Sequence, residues 1–145
     1  MKMNHEQFME LALQEAEKAV KQGEVPIGAV IVKDGRVIAK AHNMREQWLD
    51  ATAHAEVIAI REACEKLHNW RLSGCALYVT VEPCPMCAAA LAWSQISRIV
   101  YAAPDPKRGY SLFSPSLLHP KTEVCSGILA EECGNLVSDY FKKIR

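Results

Sequence analysis

The chain has 145 residues, with 17 basic and 17 acidic side chains, and half of its residues are hydrophobic. This length predicts a single domain, residues 1–145, with a core large enough to fold alone. The composition excludes a disordered chain, and a formal net charge of zero argues against a protein that coats nucleic acid only through attraction to phosphates.

The N-terminal third is predicted to form a helix followed by a β-hairpin. Apolar residues recur at helical spacing over residues 4–21, and Asn4 with Gln7 matches the capping-box pattern. The β-prone runs 27–32 and 36–41 flank an Asp-Gly pair, which is among the strongest local signals for a hairpin.

The rest of the chain alternates between helical and strand patterns. Its predicted elements are a helix at 53–67, an almost wholly apolar strand at 75–81, a helix at 84–93, a strand at 96–101, an irregular Pro-, Gly- and Ser-rich loop at 102–120, and a helix at 128–142. Strands that alternate with helices imply a sheet with parallel members and helices on both faces. The sequence therefore predicts a three-layer α/β/α sandwich.

Candidate metal ligands lie in two segments, each at the predicted start of a helix. Cys84 and Cys87 are three residues apart and share one helical face, and His54 supplies a third ligand. Three nitrogen and sulfur ligands match a catalytic zinc site, whose fourth position holds water, whereas a structural site requires a fourth Cys or His. We expect one Zn²⁺ per chain.

A carboxylate accompanies these ligands, because Glu56 lies two residues after His54. Zinc lowers the pKa of bound water to about 7, and a neighbouring carboxylate can move protons from that water to a ring nitrogen and to a leaving amine. The pattern H-x-E…P-C-x-x-C is the signature of zinc-dependent base deaminases, with the Glu as catalytic residue. The alternative is a buried cysteine pair beside a core histidine.

Longer segments around these motifs resemble the cytidine/deoxycytidylate deaminase superfamily and, within it, the bacterial tRNA-specific adenosine deaminases. The similar segments are EVPIGAV at 24–30, HN at 42–43, TAHAE at 52–56, LYVTVEPC at 77–84 and GILAEEC at 127–133. The resemblance implies a central mixed five-stranded sheet and a homodimer. It also implies conversion of adenosine to inosine at the wobble position of a tRNA anticodon loop, by attack of zinc-bound hydroxide.

The same resemblance assigns substrate-binding roles to three residues. Asn43 matches an asparagine that hydrogen-bonds the base, and the backbone N–H of Ala55 is expected to contact the base as well. Asp105 matches a loop position that contacts the substrate nucleotide. From the residues alone, Asn43 could instead bridge the end of the hairpin, and Asp105 could make local turn bonds.

Two other functions remain open at this level. TAHAEVIAIREAC, EPCPMC and Trp93 also resemble guanine deaminases, and the neutral charge favours a small substrate, so a deaminase of a free nucleobase or nucleoside, of guanine or cytosine type, is the main alternative. The segment between Gly109 and Gly127 departs from the tRNA enzymes. A zinc-stabilised scaffold is the third reading, but such a protein does not need Glu56.

Surface and packing roles are predicted for further residues. Trp48, Trp70 and Phe141 are expected to be packing residues, with lining of the nucleotide site as the alternative for Phe141, and Met86 is expected to fill the core. A phosphate-contacting rim is a hypothesis for the basic residues late in the chain, namely Lys107, Arg108, Lys121, Lys142, Lys143 and Arg145.

A cytoplasmic location is expected. Residues 1–20 carry four acidic side chains among the apolar ones, which a signal peptide does not. No apolar run reaches the ~20 residues that a membrane span needs. The six cysteines are therefore expected to be reduced thiols or metal ligands.

Overall fold

The computed structural model describes residues 3–144. Its elements are, in chain order, α1 (His5–Lys21), β1 (Gly28–Lys33), β2 (Arg36–His42), α2 (Arg45–Trp48), α3 (Ala55–Leu67), β3 (Cys75–Val81), α4 (Pro85–Ser94), β4 (Arg98–Ala103), a 3-10 turn (Tyr110–Leu112), β5 (Glu123–Ser126) and α5 (Ala130–Ile144).

Local sequence signals determine the first three elements as predicted. The Asn4 side chain accepts the backbone N–H of Gln7, and the Gln7 side chain accepts the N–H of Asn4, so the capping box at the start of α1 is complete. Asp34 and Gly35 connect β1 to β2 with φ values of 53° and 75°. Two left-handed residues between antiparallel strands match the right-handed twist of a hairpin.

The five strands form one mixed sheet in the order β2-β1-β3-β4-β5. β1 is antiparallel to β2 and β3, whereas β3, β4 and β5 are mutually parallel. The mixed five-stranded sheet is thereby confirmed. The elements predicted from patterning alone did not include β5, because this four-residue strand at the sheet edge is mostly exposed and carries no apolar periodicity.

Alternate residues of the strands face two separate apolar cores, as the period of a strand requires. On β1, Ala29 and Ile31 contribute to a cluster with α3 and α4, while Val30 and Val32 contribute to a cluster with α1 and α5. Helices therefore cover both faces of the sheet, and the predicted three-layer α/β/α sandwich is confirmed.

Close packing of α1 on the sheet depends on a residue without a side chain. A Cβ atom at Gly28 would lie 2.0 Å from the carbonyl oxygen of Ala12 and 2.5 Å from the backbone nitrogen of Ala16. The absence of a side chain at the start of β1 therefore lets the α1 backbone approach the strand directly.

Four predicted interior residues lie at the surface instead. Trp48, Trp70, Met86 and Phe141 are 51%, 56%, 38% and 41% exposed, so the predictions that Met86 fills the core and that the other three are packing residues are wrong. Small residues, alanines above all, fill much of the helix–sheet contact and leave these larger side chains outside. Along residues 3–144, no helix combines the length and hydrophobicity that crossing a membrane requires.

Candidate active site

His54, Cys84 and Cys87 converge at one edge of the sheet, where β2 and β3 end. His54 is the N-cap of α3 and Cys84 is the N-cap of α4, and Cys87 lies in the first turn of α4. Their ligand atoms all lie within 4.8 Å of one another. The structure thus brings together the three predicted metal ligands from two helix starts.

The spacing of these three atoms fits a zinc ion. The Nδ1 atom of His54 is 3.7 Å from the Cys84 sulfur and 3.4 Å from the Cys87 sulfur. Tetrahedral coordination at Zn–N and Zn–S distances of about 2.0 and 2.3 Å places nitrogen and sulfur about 3.5 Å apart. The donor set and its geometry therefore suit Zn²⁺, with the fourth position left for water or substrate.

Hydrogen bonding and the helix starts favour a thiolate at Cys84. A hydrogen bond from Cys87 is the main cause that lowers the pKa of Cys84 to about 4, and the same bond with burial raises the pKa of Cys87. The positive end of the α4 dipole favours the thiolate form of both cysteines. A cation bound between them favours the deprotonated form of both, because thiolates are the metal-binding species.

Glu56 occupies the second position of α3, and the residue is 3% exposed. Among residues 3–144, its Oε1 is the one buried side-chain oxygen or nitrogen without a hydrogen-bond partner. Burial raises the pKa of Glu56 to about 7. A buried carboxyl group with a free oxygen, titrating near neutral pH beside a metal site, has the properties of a group that carries protons.

The two residues predicted to bind the base contact each other. The backbone N–H of Ala55 donates to the side-chain oxygen of Asn43 at 2.8 Å, and both residues are buried. Asn43 follows β2, and its own N–H donates to the carbonyl of Ile27 at 3.2 Å. Asn43 thus bridges the end of the hairpin to the start of α3, one residue from His54.

Asp105 makes the local bonds expected of a turn. Its side-chain oxygen accepts the backbone N–H groups of Lys107 and Arg108 at 3.1 and 3.0 Å. Its own N–H donates to the carboxylate of Glu82 at 3.1 Å. Asp105 therefore lies in a loop that is attached to the end of β3, two residues before Cys84.

Two buried carboxylates without a predicted role, Glu24 and Glu82, organise this edge of the sheet. Glu24 is 1% exposed and accepts the backbone N–H groups of Glu46 and Gln47, which begin α2. Glu82 is 5% exposed and accepts bonds from the segment after β4. The available signal was an acidic residue beside an apolar run, and Glu82 also directly precedes the proline and cysteine of YVTVEPC.

The proposed basic rim is not a single surface. Lys107 and Arg108 are exposed beside Asp105. Lys121 lines a surface cavity of 390 Å³ with Gly74 and Ser97, which lie at the opposite edge of the sheet, before β3 and β4. Lys121 is therefore wrongly included in the rim, and Arg145 lies outside the described residues.

Comparison with known proteins identifies the family. Residues 2–103 match the cytidine and deoxycytidylate deaminase zinc-binding region. A tRNA-specific adenosine deaminase of Bacillus subtilis is 48% identical over 145 residues, which cover 97% of this chain and 90% of the relative. A tRNA-specific adenosine deaminase of Aquifex aeolicus is 47% identical over 99% of this chain and 97% of the relative.

Solved structures agree with this assignment. A structure from work on A-to-I editing by tRNA:A34 deaminases at the wobble position of transfer RNA has a TM-score of 0.84 at 49% identity, covering 89% of this chain and 97% of the other. The guanine deaminase of Bacillus subtilis is 47% identical with a TM-score of 0.68, covering 70% of this chain and 66% of the other. The chain belongs to the cytidine and deoxycytidylate deaminase family of zinc-dependent hydrolytic enzymes.

Proposed function

We propose that this protein deaminates adenosine to inosine at the wobble position of a tRNA anticodon loop. The similarity to tRNA-specific adenosine deaminases along almost the entire chain carries the proposal, because it extends through β5 and α5, beyond the zinc-binding region. The similarity to the Bacillus subtilis guanine deaminase, at comparable identity, covers a smaller share of both chains.

In the proposed reaction, water adds to C6 of adenine and ammonia leaves. His54, Cys84 and Cys87 would hold Zn²⁺, which when bound supplies a Lewis acid that makes water nucleophilic at neutral pH. Glu56 accepts a proton from the attacking water and delivers it to N1 of the ring. It then accepts the hydroxyl proton of the C6 adduct and passes it to the amine, so that the C6–N bond breaks, ammonia leaves and the C6 carbonyl forms. The buried Oε1 of Glu56, which has no hydrogen-bond partner, suits both directions of transfer.

Asn43 and Ala55 are proposed to recognise the base. The Ala55 N–H that now donates to Asn43 would turn to a base acceptor, and the Asn43 amide would exchange this internal bond for bonds to the base edge. Because Asn43 is attached through its backbone to Ile27, its side chain can change partners while its main chain stays fixed. Asp105 is proposed to contact the neighbouring ribose or phosphate region through the loop it belongs to.

Cationic side chains near this edge suit the phosphates of an RNA loop. Lys107 and Arg108 are exposed in the loop that contains Asp105, and Arg45 is exposed two residues after Asn43. Each phosphate contact in a single strand contributes a slope of roughly −0.7 to the dependence of log binding constant on log salt. We expect stem-loop binding to weaken with salt accordingly.

A second copy of the chain is proposed to cover the outer face of α4. Met86 and Trp93 are seven positions apart and therefore lie on the same face of α4, where they are 38% and 81% exposed. The helix PMCAAALAWS contains no acidic or basic residue. An uncharged face of this kind is self-complementary across a twofold axis. Sedimentation should give a dimer, and Trp93→Lys should shift it towards monomer while Trp70→Lys, an exposed tryptophan outside α4, should not. A monomeric wild-type protein would contradict this proposal.

The cytoplasm is the proposed location, as the compartment in which a tRNA substrate is present. The free thiols of Cys64, Cys75, Cys125 and Cys133 agree with a reducing compartment. Localisation of a tagged chain by fractionation would test this, and recovery outside the cytoplasm would contradict it.

Ammonia release on an anticodon stem-loop with adenosine at the wobble position tests the activity. Guanine, cytosine, adenine and their nucleosides serve as parallel substrates, and a stem-loop with guanosine at the wobble position is the matched control. Turnover confined to the adenosine stem-loop supports the proposal. Turnover of a free base with an inert stem-loop would replace it with the nucleobase deaminase function.

A further inference from the structure

Glu82 holds together the segment that lies beside the candidate zinc site. Its Oε1 accepts the backbone N–H of Asp105 at 3.1 Å, and its Oε2 accepts the N–H and the hydroxyl of Ser111 at 3.0 and 2.7 Å. All three donors belong to the segment of residues 104–112, the 104–112 loop. One buried carboxylate therefore fixes both ends of this loop.

The loop approaches Glu82 so closely that a side chain at one position would displace the Glu82 carboxylate. A Cβ atom at Gly109 would lie 2.2 Å from Oε2 of Glu82, although the φ of Gly109, −64°, is allowed for any residue. The backbone N–H of Tyr110 also donates to the carbonyl of Pro83 at 2.9 Å. The loop is thus fixed to the two residues that immediately precede Cys84.

A second carboxylate, that of Asp105, holds the part of the loop that carries two exposed cationic side chains. Asp105, held by Glu82, accepts the backbone N–H groups of Lys107 and Arg108, whose side chains are exposed. Glu82 therefore determines, through Asp105, where these two cations lie relative to the metal ligands. Glu82 itself is buried behind the loop, with its carboxylate oxygens occupied by backbone and hydroxyl donors.

We infer that Glu82 is a positioning residue that preorganises the 104–112 loop for binding a polynucleotide and has little influence on the chemical step. This inference rests on the proposed tRNA function, since it concerns the affinity for an RNA loop. If the loop is correctly arranged only a fraction of the time, the apparent affinity equals the intrinsic affinity multiplied by that fraction. The free energy lost with the hydrogen bonds to a charged group is large enough to reduce the ordered fraction to about one tenth.

Binding is measured without turnover by placing the changes in a Glu56→Gln background and recording fluorescence anisotropy of a labelled anticodon stem-loop. Glu82→Ala should raise the Kd roughly tenfold. Glu82→Gln retains one acceptor and should have a smaller effect, and Ser111→Ala, which removes one bond of three, the smallest. In the Glu56-containing enzyme, kcat at saturating stem-loop should stay within about threefold of wild type while KM follows the Kd.

Two controls separate positioning from general destabilisation. Gly109→Ala disrupts the same contact from the loop side and should raise the Kd like Glu82→Ala. Glu15→Ala removes a carboxylate that is likewise 5% exposed, on α1, and should lower stability without changing the Kd.

Hydrogen exchange at the Asp105 and Ser111 amides gives a readout that does not need the substrate. Both amides should lose protection in Glu82→Ala and keep it in Glu15→Ala. Retained protection, or lost protection with an unchanged Kd, overturns the inference. If the wild-type protein binds no stem-loop, the proposed function fails and the affinity part of this inference fails with it, while the exchange data still decide whether Glu82 anchors the loop.

Discussion

Replacing Glu56 by glutamine separates its chemical role from its structural cost. The substitution keeps the volume of the side chain and removes its ability to carry a proton. With zinc bound, we expect turnover to fall by roughly two to four orders of magnitude, since general acid–base catalysis contributes about that factor. This loss corresponds to about 3 to 5 kcal/mol of transition-state stabilisation.

The same substitution should stabilise the protein after zinc has been removed with a chelator. Burial raises the pKa of Glu56 from its ordinary value of 4.5 to about 7 in the folded protein. Below pH 4.5 both folded and unfolded chains hold the proton, so glutamine gives no advantage. Between the two pKa values the unfolded chain ionises first and wild-type stability falls; above pH 7 the full difference, about 3 kcal/mol, favours Glu56→Gln.

Thermal unfolding of the chelated proteins at pH 5 and pH 8 measures this effect. We expect the Tm of Glu56→Gln to exceed that of wild type by roughly 10 °C at pH 8, with a difference of no more than about 3 °C at pH 5. Glu62→Gln, an exposed position on the same helix, serves as the control and should change neither turnover nor Tm. Turnover of zinc-loaded Glu56→Gln within a few fold of wild type, with bound zinc verified by metal analysis, would refute the proton-transfer role.

Three further changes test the site and its support. Metal analysis should find about one zinc per chain in wild type and almost none in Cys84→Ala, and retained stoichiometry in that variant would refute the ligand assignment. Glu24→Ala removes two hydrogen bonds from backbone N–H groups of α2 to a charged group and should lower the free energy of unfolding by about 3 kcal/mol in urea denaturation. Glu24→Gln should lose about half as much, and equal losses would show that packing and not hydrogen bonding is responsible. Gly28→Ala should lower stability by at least about 2 kcal/mol, because its Cβ would overlap the α1 backbone, and an unchanged midpoint would mean that α1 can shift freely.

The cluster of His54, Cys84 and Cys87 was predictable because the spacing of these residues along the chain reflects their geometry in space. Cys84 and Cys87 share a helical face at any helix start, and a proline before and after Cys84 determines where that helix begins. His54 could be added only because the strand and helix between the two motifs return the chain to the same edge of the sheet. The elements as predicted agree with the structure within two residues at most boundaries, since capping, turn and periodicity signals are local.

Interactions between distant segments left no local pattern to find. The bonds from Glu82 to Asp105 and Ser111 span 23 and 29 residues, and an isolated glutamate after a strand carries no sign of its partners. β5 and α2 were missed for a different reason. β5 is stabilised by pairing with β4, and α2 by a carboxylate 22 residues earlier in the chain, so neither needs an amphipathic pattern of its own.

The hairpin turn at Asp34 and Gly35 gives this enzyme a natural point of attachment. The turn is exposed, and Lys33 before it pairs with Cys75 at the start of β3, whereas Cys84 follows the end of that strand. The length of strand β3 therefore separates the turn from the candidate zinc site. A peptide or a second protein inserted between Asp34 and Gly35 would extend away from the candidate zinc site. The turn is the kind of exposed connection where insertions are tolerated. The fold thus provides a site for building fusions or surface-tethered forms that leave the candidate zinc site accessible.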